Sequence, residues 1–174
     1  MEKITVVING VGGCGKDTLV EFLATQRKVK NISSITPVKE IAKLCGWNGE
    51  KTDVSRKFLS DLKALLTAYN EFPLNYLLKE QEDFISDQNE ILFVHIREPE
   101  EIEKFKRVSK TRTFALLVTP REELQNKVYG NKSDDDVANY NYDFVFKNDK
   151  PLAIAEQEWL NFIEENILNS ELQK

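Results

Sequence analysis

The chain holds one histidine and two cysteines in 174 residues, and that shortage excludes two kinds of staple. A structural zinc site needs four Cys or His ligands at paired spacings, and neither a C-x-x-C pair nor a histidine cluster is present. Cys14 and Cys45 cannot make a disulfide framework, so a reducing cytosol fits. Positive charge is not in excess either. A net charge of −5, from 24 Lys and Arg against 29 Asp and Glu, argues against nucleic acid or an anionic membrane as partner, because such binders present a basic surface. No run approaches the roughly 18 apolar residues of a membrane span, and no basic-then-apolar leader precedes Ile4. The expectation is a cytoplasmic protein. Repeats, low-complexity tracts and linkers are also missing, so residues 1–174 read as one domain, long enough to bury its own core.

What is present is an alternation of short apolar runs with helical patterns, the mark of a parallel sheet built from strand-helix-strand units. Strands are expected at Lys3 to Asn9, Asn31 to Thr36, Glu90 to Ile96, Thr113 to Thr119 and Tyr142 to Lys147. Helices are expected at Lys16 to Arg27, Pro37 to Cys45, Val54 to Tyr69, Pro73 to Ser86, Pro99 to Val108, Pro120 to Val128 and Pro151 to Leu168. Proline at a first helical position loses nothing, because that N–H has no partner in the helix. Ile91-Leu92-Phe93-Val94 is continuously apolar, as a central strand covered on both faces should be. Val54, Phe58, Leu59, Leu62, Leu65, Leu66 and Tyr69 follow a helical period and read as one buried face.

Between the first strand and the first helix lies Gly10-Val11-Gly12-Gly13-Cys14-Gly15-Lys16-Asp17-Thr18, with the Walker A spacing. Glycines let backbone N–H groups approach phosphate oxygens closely, and the following helix adds the positive end of its dipole. Lys16 then places its ammonium on the β- and γ-phosphates. The strand-loop-helix context implies an α/β, three-layer P-loop NTPase fold with a central, mostly parallel five-stranded sheet flanked by helices. Asp17 stands where the motif usually has a Ser or Thr hydroxyl for Mg²⁺. It either coordinates the cation, which favours oxygen ligands, or complements the helix N-terminus. Cys14 reads as a small permissive residue or as a reactive thiol beside a helix N-terminus.

Ligands of parallel sheets bind at the carboxyl ends of the strands, which brings the loop together with Thr36-Pro37-Val38-Lys39 and His95-Ile96-Arg97-Glu98. Arg97 either forks onto a phosphate or pairs with Glu101 one helical turn on. Lys39 and Arg56 either meet an acceptor phosphate or stand as solvated charges. Arg121, Lys127 and Lys132, with Gly130 as a hinge, suit a basic flap over residues 121–136 or an ordinary charged helix. His95 reads as a hydrogen-bonded structural group or, less simply, a general base. Asn131-Lys132-Ser133-Asp134 matches the guanine-reading pattern of GTPases by chance, because no apolar strand precedes it and no Asp-x-x-Gly switch exists.

Taken in order, these residues resemble the P-loop nucleoside monophosphate kinase superfamily, and within it the phage-type deoxynucleoside monophosphate kinases. The likeness rests on Gly15-Lys16-Asp17-Thr18, Pro37-Val38-Lys39, Arg56, Arg97 followed by Glu101, Ser133-Asp134 and Asn148-Asp149. It implies ATP and Mg²⁺ as cofactors and a small-molecule phosphate acceptor, a nucleoside or deoxynucleoside monophosphate, bound by a helical region at residues 46–87. Lys16, Arg97 and Arg121 or Lys127 would carry transfer, and Asn148 would lie near the adenine. His95 stands where the family has an acid two places before the arginine, so Asp17 or Glu98 would replace that carboxylate. The alternatives are a kinase for a non-nucleotide phosphorylated metabolite, as in animal-type phosphomevalonate kinases that share Gly-Lys-Asp, or an ATP-binding regulatory protein without transfer activity.

Overall fold

The computed structural model describes residues 2–120 and 137–169. Strand β1 (Ile4–Asn9) is buried at every position because it lies in the middle of the sheet and is covered on both faces. It pairs in parallel with β3 (Ile91–His95) on one side and with β4 (Arg112–Pro120) on the other. The edges are β2 (Val29–Ser33) beside β3 and β5 (Phe144–Asn148) beside β4, giving the order β2-β3-β1-β4-β5 with every pairing parallel.

The helices follow from the alternation. One face carries α1 (Lys16–Ala24) and α6 (Leu152–Phe162), the latter continuing as a π-helical segment Ile163–Leu168. Leu19, Val20 and Leu23 of α1 join Trp159 of α6 in that core. Trp159 lies 5.0 Å from the ring of Phe146 and 6.3 Å from that of Phe93. The other face is covered by α4 (Phe72–Ser86) and α5 (Pro99–Val108) through Leu77, Phe84, Ile102 and Phe105, all almost fully buried. Between β2 and β3 the chain also forms α2 (Thr36–Leu44) and α3 (Asp53–Asn70). Because α1 follows β1 onto one face and α5 follows β3 onto the other, the chain diverges after these two adjacent strands and leaves a crevice at their carboxyl ends.

Besides β5, which begins at Phe144 instead of Tyr142 and ends at Asn148, four expectations change. Strand β2 starts two residues earlier than Asn31 and ends at Ser33, because Val29 and Lys30 pair with Ile91 and Leu92 while Thr36 already opens α2. As a half-exposed edge it lacks the apolar run that would mark it in sequence. Pro120 ends β4 instead of opening a helix, and the rest of that expected helix lies outside the described residues. The first helix stops at Ala24, short of Arg27. The fourth change concerns α3. Val54 is 80% exposed and Tyr69 82%, and Leu65 is exposed with them, whereas the buried residues are Ser55 and Lys63. The helix packs on α2 and α4 with Phe58, Leu59, Leu62 and Leu66 half-buried, so the apolar period marks the inner side in part, and Val54, Leu65 and Tyr69 lie off it.

Candidate active site

Three loop glycines take backbone conformations that side chains resist. Gly10 sits at φ 151°, Gly13 at 81° and Gly15 at 90°. At Gly10 space is also lacking, since a Cβ would run into the Val118 carbonyl and stand 2.7 Å from Cys14 Sγ. At Gly15 a Cβ would stand 2.5 Å from Asn148 Nδ2. That amide donates to the Cys14 carbonyl at 2.9 Å, so the end of β5 braces the loop from below. Cys14 itself is 3% exposed, and its sulfur is core rather than surface.

Lys16 turns back over the loop, its Nζ donating to the carbonyls of Gly10 at 2.6 Å and Val11 at 3.1 Å and lying 3.3 Å from Cys14 Sγ. The N-terminus of α1 receives no side-chain cap, which leaves its first N–H groups and dipole directed at the space the loop encloses. Ammonium, uncapped helix and left-handed glycines together fit a polyphosphate. Asp17 is on the first turn with its side chain 85% exposed. Among the described residues no group of three His, Cys, Asp or Glu side chains is arranged to hold a metal.

One buried amide ties the loop to the next strand end. Asn9, 1% exposed, accepts the Gly10 N–H at 2.8 Å and donates to the Arg97 carbonyl at 3.0 Å and to Tyr142 Oη at 2.8 Å. Tyr142 donates in turn to the Val137 carbonyl at 2.7 Å. Every hydrogen-bonding atom of the Asn9 amide is used, so its rotamer is fixed.

Across the crevice His95 Nε2 lies 2.9 Å from Asn31 Oδ1, an acceptor, so Nε2 carries the proton of a neutral ring. Asp17 Oδ1 stands 3.8 Å from the same nitrogen. Burial pulls the imidazole down to about 4, with Asp17 opposing and Lys16 and Arg97 adding to the fall. The ring is therefore uncharged at neutral pH.

Arg97 is exposed at the mouth of the crevice, with its backbone held by Asn9. The expected alternative partner, Glu101, binds instead to Lys63 Nζ at 2.8 Å, and Glu98 binds the same ammonium at 2.5 Å. That occupies Glu98, whereas Asp17 stays exposed on the first turn of α1 beside the loop. Burial works to raise the Glu98 carboxyl, but the charge and hydrogen bond of Lys63 outweigh it and hold the group below its usual range. Glu101 is pushed up to about 6 by burial and by Glu98, with Lys63 opposing. Lys63 carried no motif. Its one sequence signal is a cation on the half-buried side of a helix, beside Leu59, Leu62 and Leu66.

Of the remaining site candidates, Lys39 is exposed on α2, and Arg56 faces Asp53 at 3.9 Å on the first turn of α3. Arg121 and the basic segment 121–136 lie outside the described residues, as does the Ser133-Asp134 pair. A shallow concavity lined by Lys3, Lys28, Asn89 and Glu90 is at the opposite, amino-terminal edge of the sheet and gathers ion-paired surface charges, not a reactive set.

Solved structures share this architecture along the whole chain. A putative kinase from Chloroflexus aurantiacus superposes with a TM-score of 0.55 at 10% identity, covering 98% of each chain. The gluconokinase of Sinorhizobium meliloti gives 0.51 at 16%, covering 97% of this chain and 94% of that one. TT1252 from Thermus thermophilus gives 0.53 at 16%, covering 96% and 99%. They share the fold, a parallel five-stranded sheet flanked by helices, that the sequence leads one to expect. At these identities the likeness is one of fold. No protein-family model matches the chain, and no curated protein is similar to it in sequence. Among the described residues no helix is long and apolar enough to cross a membrane.

Proposed function

We propose that the protein is an ATP-dependent phosphotransferase acting on a small phosphorylated acceptor, a nucleoside or deoxynucleoside monophosphate. The observation that carries this reading is the pairing, through Asn9, of a phosphate-shaped loop with an arginine at the mouth of the adjacent strand end. Phosphoryl transfer needs little covalent chemistry from a protein, so catalysis consists of holding donor and acceptor in line and neutralising charge. Lys16 would leave the loop carbonyls for the β- and γ-phosphates of ATP. Arg97 would take the acceptor phosphate in a forked contact, with Lys39 on α2, Arg56 in the acceptor region 46–87 and Arg121 in the basic segment 121–136 adding charge. Asp17 would hold Mg²⁺, which would supply charge neutralisation at the ATP phosphates, and Asn148 would lie toward the adenine. A neutral His95 in place of an acid keeps a second negative charge away from the transferring group.

The test is ADP release with Mg-ATP across common nucleoside and deoxynucleoside monophosphates. Turnover with one of them is expected, falling at least about a hundredfold in Lys16→Ala, the scale of losing one transition-state donor. Asp17→Asn should lower the rate and raise the Mg²⁺ requirement. Turnover with none of the monophosphates would overturn the named acceptor. A non-nucleotide phosphorylated metabolite is the second reading; the gluconokinase among the like structures has a non-nucleotide acceptor, and sugars and acids with and without a phosphate, screened in the same assay, separate the two.

A further inference from the structure

Lys63 is a lysine with its side chain 10% exposed, held by two carboxylates from a different part of the chain. A buried ammonium has to be paired, and this one is paired twice, which one partner alone would have achieved. The second carboxylate needs an account. Glu98 and Glu101 are the residue just before α5 and a residue of its first turn, and the Glu98 carbonyl accepts the N–H of Glu101 at 3.0 Å and of Ile102 at 3.1 Å. Lys63 therefore grips the start of α5 at two points a turn apart, which fixes its direction as well as its position.

Arg97 is the residue immediately before that grip. On its other side its carbonyl is fixed by Asn9, which also holds the first N–H of the phosphate loop. The backbone at Arg97 is thus pinned from β1 through a neutral amide and from α3 through an ion cluster. We propose that Lys63 is a positioning residue, which locks the acceptor-side helix α3 to the root of Arg97 and so sets the distance between the acceptor phosphate and the loop. This rests on the reading of Arg97 as the acceptor-phosphate arginine. The cluster touches no reacting atom. Its role is to transmit the placement of α3 to the arginine, and a double carboxylate grip resists rotation where a single ion pair would swivel.

The experiment uses the full chain and the acceptor that the wild type turns over best. Lys63→Met should lower kcat/KM for the acceptor about tenfold or more, while KM for ATP stays within about twofold, because only one substrate's placement is lost. Lys63→Arg keeps the charge and should recover most of that loss. In combination with Arg97→Lys, Lys63→Met should add less than about threefold, since both act on one contact. Stranding two carboxylates threatens folding, so a triple variant, Lys63→Met with Glu98→Gln and Glu101→Gln, removes all three charges, and it should reproduce the acceptor-specific defect at near wild-type Tm. Equal loss for ATP and acceptor, full additivity with Arg97→Lys, or normal acceptor kinetics in a folded triple variant would overturn the proposal. If the wild type transfers phosphate to no acceptor, the reading of the site fails first. The clamp is then judged by hydrogen exchange, where Lys63→Met should speed the amides from Arg97 to Ile102 about tenfold and leave β1 unchanged. Unchanged exchange at those amides would dispose of it.

Discussion

The two walls of the crevice are made of different material. The loop wall is backbone: glycines in left-handed conformations, a carbonyl cage around Lys16 and a brace from Asn148, nearly all within ten residues of chain. The facing wall is made of polar side chains assembled from afar, a neutral pair of Asn31 with His95 and an ion cluster of Lys63 with Glu98 and Glu101, across long stretches of sequence. A backbone wall is indifferent to pH and intolerant of added volume. A wall of paired charges accepts changes of shape and responds to protons. Each wall should therefore break under a treatment that the other ignores.

The largest effect is expected at Gly10. Gly10→Ala combines a strained φ with a collision against the Val118 carbonyl, about 3 kcal/mol together, or a Tm lower by roughly 6 to 12 °C. Gly13→Ala, with open space around it, meets only the strain and should cost about 1 kcal/mol. Equal losses in thermal unfolding would mean that the packing against β4 does not matter.

The opposite wall is probed by Glu101→Gln. With a folded-state pKa of about 6, above the usual 4.5, Glu101 holds its proton more tightly folded than unfolded. Its contribution is therefore favourable at low pH and is lost as pH rises from 4.5 through 6. Urea unfolding should find Glu101→Gln more stable than wild type by about 2 kcal/mol at pH 7, with the gain gone near pH 4.5. No gain at pH 7, or a loss, would show that Lys63 satisfies both carboxylates fully.

Tyr142→Phe should give the smallest change. It leaves one Asn9 N–H and the Val137 carbonyl without the phenol, a loss of about 1 kcal/mol that chemical denaturation would read, independent of pH from 5 to 8.

The same division explains what was legible in the sequence. The loop could be read because its chemistry is local and its glycines are dictated by backbone shape. The central strands could be read because Ile4 to Ile8 and Ile91 to Val94 are apolar on both faces, as position in a covered parallel sheet requires. Strand β2 was displaced by two residues because an edge strand keeps no such record. In α3 the apolar period pointed Val54, Leu65 and Tyr69 inward, and the structure turns them out. Hydrophobicity places Phe58, Leu59, Leu62 and Leu66 on the half-buried side, and what it leaves out is Lys63 on that same side, meeting two anions 35 and 38 residues further along the chain. Nothing near position 63 announces those partners. His95 was legible as a polar group ending a buried strand, whereas its partner Asn31 sits in the expected β2 with no pattern of its own.

The burial of Cys14 has a practical consequence for labelling chemistry. Cys45, just past the end of α2, is exposed, and the only other thiol is shut inside the loop wall. A maleimide dye added to the unmodified chain would therefore mark a single site, at the carboxyl end of α2. Its emission would follow that helix end directly, without a cysteine having to be removed or introduced.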